Sequence, residues 1–266
     1  MNVAILGRGR VGSSLYRSLE HDGTHEVTAM GRKPNLSALN DANVVILAVS
    51  DDAIESIAAR IATELKPGTT VLHCAGARDV DELDACAARG AHVGVMHPLV
   101  SFPSKRRQPS LEGKTFVVHG SPRAIAMSRR IGKACGARVI TAQAANPVYH
   151  AAAALVANGA AALAFVAVRL LEGLGVARRD AERSIGGLLE SVGENVQSVG
   201  VPDALTGPVA RGDSSTVDRH RRALRRVGRG ALSTYDALLP VVLQNAEAAG
   251  LSRRRADEIR RIAKRR

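Results

Sequence analysis

Aromatic rings and cysteine are scarce in this sequence. Only 2% of the 266 residues are aromatic, and tryptophan is absent. That excludes a protein that grips single-stranded nucleic acid by stacking bases on rings. The three cysteines, Cys74, Cys86 and Cys135, show no C-x-x-C spacing. A disulfide scaffold and a cysteine-based zinc module are thereby excluded, and the pattern fits a reducing cytoplasm. No short ligand spacing links His73, His97, His150 and Asp213, so no metal site is expected. Long apolar runs are also missing. The apolar start, residues 1–6, is too short for a secretory signal. The uncharged stretch 151–168 is mostly Ala and Gly with Asn158 in its middle. It reads as a helix buried in protein, at a subunit interface, and not as a membrane span.

What is present is an ordinary folded composition, 45% hydrophobic and 23% charged. The chain is long enough for two ordinary domains. Its formal charge is +12, and Arg dominates Lys. The basic excess concentrates in residues 219–229 and 252–266. No nucleic-acid motif accompanies it, so both stretches read as solvated helix faces and no nucleic-acid partner is expected.

The first half alternates short apolar runs (3–6, 27–30, 44–49, 69–74, 92–96, 115–119 and 138–141) with helical patterns (11–21, 52–65, 79–89 and 123–135). Several runs are apolar at consecutive positions, as in strands covered on both faces. The alternation predicts an α/β domain with a doubly wound parallel sheet over residues 1–145. From 146 to 266 no strand is expected. Helices are predicted over 149–174, 178–199, 215–228, 233–249 and 253–265, an all-helical domain.

Gly7-Arg8-Gly9-Arg10-Val11-Gly12 matches G-x-G-x-x-G between a predicted strand and a predicted helix, the context of a Rossmann dinucleotide site. Gly7 permits the tight turn, Gly9 the approach of a diphosphate, and Gly12 close packing of helix on strand. Backbone N–H groups at the helix start hold the phosphates. The second strand ends without a carboxylate for ribose hydroxyls. Gly31-Arg32-Lys33 follows instead, and Arg32 and Lys33 would neutralise a 2′-phosphate, which points to NADP(H). Ala48, Val49 and Ser50 after the third strand, Ala75 and Gly76 after the fourth, and His97 after the fifth complete the expected cofactor path. Asp51 or Asp52 is expected to cap the helix that follows the third strand.

Reduction by hydride needs a proton source. Candidates cluster at residues 96–102, at Tyr149-His150 with Asn158, and at residues 206–216. His150 and Asn158 lie two helical turns apart on nearly one face. Arg211 could pair with a substrate carboxylate. Asp213 is expected either to cap a helix or to join the catalytic set.

The glycine motif, the run His97-Pro98-Leu99 to Phe102, Tyr149-His150-Ala151-Ala152-Ala153, and Thr206-Gly207-Pro208 with Arg211-Gly212-Asp213, Thr216-Val217 and His220 together carry a resemblance. The chain resembles bacterial two-domain proteins in which a Rossmann-like domain precedes a helical domain of unknown function. Some of these are ketopantoate reductases of an alternative form. The layout is similar to 6-phosphogluconate-dehydrogenase-like enzymes, including β-hydroxyacid dehydrogenases, pyrroline-5-carboxylate reductase and ketopantoate reductases. The resemblance implies NADP-linked reduction of a small carboxylate and a homodimer built through the helical domain. In the hydroxyacid enzymes a catalytic Lys stands four residues before the Asn matched by Asn158. Here that position is Ala154, and the helical half holds no Lys before Lys264. His150 is the best replacement as acid. An imine substrate, which can arrive protonated, needs no such Lys. A keto-acid reductase, an imine reductase and a non-catalytic NADP-binding regulator therefore remain as readings.

Overall fold

The computed structural model describes residues 1–31, 35–104, 109–143 and 146–264. The chain divides into two compact units, Met1–Ala157 and Asn158–Arg266.

In the first unit the apolar runs become strands of one seven-stranded sheet: β1 (Asn2–Leu6), β2 (Glu26–Met30), β3 (Val44–Leu47), β4 (Thr70–His73), β5 (His92–Leu99), β6 (Thr115–Gly120) and β7 (Arg138–Thr141). Their order is β2-β1-β3-β4-β5-β6-β7. Helices α1 (Arg10–Asp22), α2 (Ile54–Ile61), α3 (Asp84–Ala87) and α4 (Pro122–Ala134) connect them. Alternate residues of β1 serve opposite cores. Val3 and Ile5 pack with Leu15 and Leu19 of α1 and Ile131 of α4. Ala4 and Leu6 pack with Ile54, Ala58 and Ile61 of α2. Both faces are thus covered, which is why the strands read as continuous apolar runs. The connection from β1 leads to β2 on one side, whereas β3 lies on the other side of β1. That reversal opens a crevice at the C-terminal ends of β1 and β3, where α/β sheets bind ligands.

Two expectations need correction. The sheet is not wholly parallel: β5 and β6 pair antiparallel, from Gly94↔Gly120 to Leu99↔Thr115. A parallel return needs a crossover, usually a helix, and the described residues between β5 and β6 form none. The predicted helix over 79–89 is a 3-10 turn (Val80–Leu83) followed by the single-turn α3.

The second unit holds α6 (Arg178–Val199), α7 (Ser214–Val227), α8 (Arg229–Ala248) and α9 (Arg253–Ala263), while α5 (Pro147–Gly173) spans the division between the units. Val217, Leu239, Leu243, Ala256 and Ile259 bring α7, α8 and α9 together around one small core. Arg221, only 5% exposed, braces it. Its guanidinium donates to both carboxylate oxygens of Asp236, at 2.7 and 3.0 Å, and to the carbonyl of Ile262. α8 runs through Pro240 without ending. α5, expected to be buried, has no buried residue within this chain.

Candidate functional site

The site begins where β1 stops. Gly7 turns the chain with a φ of +111°, and its N–H donates to the carbonyl of Met30 at 2.9 Å. A Cβ on Gly7 would stand 2.3 Å from the carbonyl oxygen of Ala48, and one on Gly12 would stand 1.9 Å from the oxygen of Gly7. No side chain fits at either position, because α1 must pack directly on the strand ends. Gly9 differs. Its nearest neighbour would lie 3.9 Å away, so the space beside it is open. Gly9 is also the N-cap of α1, with no side-chain cap and no acidic residue in the first turn. The unbonded N–H groups of that turn, and the positive end of the helix dipole, are left for a ligand.

They face a cavity of about 840 Å³. It crosses the C-terminal edge of the sheet. Gly7, Arg8, Gly9, Arg10 and Val11 line one part of it, Ala48, Val49 and Ser50 the end of β3, and Ala75 the end of β4. Nine of the residues read as cofactor-binding from the sequence therefore share one wall. Gly12 is buried behind the turn. Arg32 and Lys33 lie outside the described residues. Asp51 and Cys74, from the loops expected along the cofactor path, line the cavity too, and so do Gly31, Leu36, Ile57, Arg60 and Ile61, which were not anticipated there. The i, i+3, i+4 spacing of Ile57, Arg60 and Ile61 was the available signal. Asp51 and Asp52 do not cap α2. Asp52 instead pairs with Arg78 at 2.7 Å. Arg10 donates to the carbonyl of Phe102 at 3.1 Å, tying the glycine turn to the segment after β5.

Beyond Ala75 lies a histidine–tyrosine pair. His97 Nδ1 and the Tyr149 hydroxyl are 2.6 Å apart, with the rings perpendicular. A Cβ on Gly76 would stand 2.8 Å from Cε1 and Nε2 of His97, so Gly76 makes room for the imidazole instead of lining the cavity. Tyr149 packs on Val95 and Val117, which fixes its ring against the β5–β6 pair. Burial, reinforced by the charge of His150 and opposed by that of Asp51, pushes His97 down to about 4. Burial pushes the Tyr149 phenol up to about 12. At neutral pH both are uncharged and share one proton across the hydrogen bond. Sequence reasoning did not join them, since 52 residues separate the two.

His73 is occupied otherwise. Its Nε2 donates to the Asp79 carbonyl at 2.9 Å, and its Nδ1 accepts from the Ala75 N–H at 3.3 Å. Both ring nitrogens are satisfied, and burial lowers its pKa. His150 is exposed on the first turns of α5, and Asn158 is exposed two turns later. In the second unit Arg211 is exposed, and its carbonyl accepts from Arg255. Asp213 is the N-cap of α7. It accepts from the Thr216 N–H at 3.0 Å and from the hydroxyls of Thr216 and Ser215 at 2.6 and 2.8 Å. These donors hold its carboxyl well below the usual carboxylate range, so it offers no proton at neutral pH. Among the described residues no group of three or more His, Cys, Asp or Glu is placed to hold a metal ion.

Residues 114–239 match the family model of a domain of unknown function, DUF2520. No curated protein matches the chain. Similar solved structures include a candidate NADP oxidoreductase from Bacteroides fragilis, 20% identical, with a TM-score of 0.68 over 91% of this chain and 98% of that one. Another is pyrroline carboxylate reductase from Plasmodium falciparum with NADP bound, 11% identical, with a TM-score of 0.64 over 99% and 98%. A third is an imine reductase from Streptomyces aurantiacus, 16% identical, with a TM-score of 0.62 over the full length of both chains. At these identities the likeness is one of fold: this chain has the Rossmann-like sheet followed by helices that those proteins share.

Proposed function

We propose that the protein is an NADP(H)-dependent oxidoreductase that reduces a C=O or C=N bond of a small carboxylate. The carrying observation is the cradle at Gly7, Gly9 and Gly12. Two of its glycines admit no side chain, and the third opens the uncapped start of α1 to a cavity at the sheet's reversal point. Such a cradle fits a diphosphate. The fold shared with proteins that carry or act with NADP supports the same reading.

The bound coenzyme would supply a hydride, and the chain must then supply the proton. His97, Tyr149 and His150 form the polar cluster next to the β3 and β4 ends of the cavity. Tyr149 holds a phenolic proton at neutral pH, and His97 fixes the direction of that hydroxyl. His150 is exposed beside them and is the second candidate to pass a proton to the substrate. Ketopantoate is the keto-acid candidate. Ala154, where hydroxyacid enzymes of similar layout carry Lys, favours an imine as the second substrate class.

Calorimetric titration with NADPH tests the first step, and coenzyme oxidation with ketopantoate and pyrroline-5-carboxylate tests the second. NADPH is expected to bind. The Tyr149→Phe and His150→Ala variants should bind it unchanged, and at least one should lose about 100-fold in turnover. Absence of binding by the wild type overturns the reading.

A further inference from the structure

We propose that Arg60 contacts the 2′-phosphate of the coenzyme and so contributes to the preference for its phosphorylated form. The assignment rests on the coenzyme reading above and extends it to a residue of α2. The cavity has two ends. The diphosphate cradle and the β3 and β4 ends form one, while Gly31, at the end of β2, and Leu36, Ile57 and Ile61 form the other. Ile57, Arg60 and Ile61 fall on one face of α2 by their i, i+3, i+4 spacing. Ile61 is 1% exposed, and Ile57 and Leu36 are half-buried. Together they make an aliphatic wall against which a flat purine can lie.

Among the described residues that line this end, Arg60 is the one cation. Its side chain is exposed and has no hydrogen-bond or ion-pair partner among the described residues; Glu64, one turn further, makes no ion pair with it. A long cationic side chain without a partner, at the lip of an apolar slot, is free to meet an anion. Helical side chains also lean toward the helix N-terminus, which carries the guanidinium from Arg60 toward the strand ends. The diphosphate is already provided for at α1. The 2′-phosphate is the remaining anionic group of the coenzyme, and it is carried on the ribose next to the purine. β2 ends in Met30-Gly31 with no carboxylate that would accept from a free 2′-hydroxyl and repel a phosphate. A guanidinium can take that phosphate with two parallel N–H donors.

The test is calorimetric titration of the full chain with NADPH, NADH, 2′,5′-ADP and 5′-ADP, repeated with Arg60→Ala and Arg60→Gln. Arg89→Ala, an exposed arginine away from the cavity, controls for net charge. The wild type is expected to prefer the phosphorylated member of each pair. Both Arg60 variants should weaken NADPH and 2′,5′-ADP by about 10–100-fold, with NADH and 5′-ADP changed by less than about 3-fold. Equal weakening of all four ligands, no weakening, or the same loss in Arg89→Ala would overturn the assignment while leaving the coenzyme reading intact. A wild type that binds none of the four overturns both.

Discussion

Gly9 and Gly12 sit three residues apart in one turn and answer to different constraints. Gly12 has no room for a methyl group, because the Gly7 oxygen occupies the place of its Cβ. Backbone cannot yield as a flexible side-chain end can. Gly12→Ala should therefore cost on the order of 3 kcal/mol, read as a lowered thermal midpoint. At Gly9 the backbone is extended, with a φ of −79°, and the neighbouring space is open. Gly9→Ala should leave the thermal midpoint nearly unchanged and still weaken NADPH by about 10-fold or more, since the added methyl group stands where the phosphates approach. Two variants that destabilised the protein equally would show that Gly9 serves packing alone. His97 and Gly76 repeat the same logic: the glycine's lack of a side chain is what allows the imidazole to reach Tyr149.

Among the helices, α7 has the most explicit local start signal. Asp213 closes its first turn through three donors. Its folded pKa lies below the unfolded value, so the stability it contributes is present above that unfolded value and is lost as the pH falls through the folded one. Asp213→Ala should lower the thermal midpoint at pH 7, and the gap to wild type should narrow in acid. Asp213→Asn, which can still accept the backbone N–H, should recover part of the loss. An alanine variant with an unchanged midpoint would remove the cap from the energetics of the helix. Signals of this kind are written locally, which is why so much was legible. The bounds expected for α6 and β7 are those observed, and α4 differs by one residue at each end. The glycine turn was legible for the same reason. The antiparallel entry of β6 was not, because register depends on which edge the chain meets after β5. Neither was the meeting of His97 with Tyr149, since it is set by packing between elements distant in sequence.

For the molecule as a whole, the unresolved demand is apolar surface left in water. No residue of α5 is buried, and Leu155, Val156 and Phe165 are 77%, 71% and 64% exposed. On α6, Leu188, Val192, Val196 and Val199 are 44–60% exposed, and their spacing puts them in a single stripe along the helix. Stable monomers rarely leave so much contiguous apolar surface uncovered. α5 is also long and apolar enough, by length and composition, to cross a membrane. α6 is not such a helix: Arg178, Arg179, Arg183 and Glu190 interrupt it. One cover that suits both helices is a second copy of the chain, which brings an identical pair of apolar faces. The protein should then sediment at twice the chain mass without detergent. Leu188→Glu combined with Val192→Glu puts two charges into the stripe. This variant should sediment at the single-chain mass and keep its helical circular dichroism, because neither residue supports the core of its own chain. A wild type that sediments as a single chain would refute the dimer, and one that stays with the membrane fraction until detergent is added would make lipid the cover of α5.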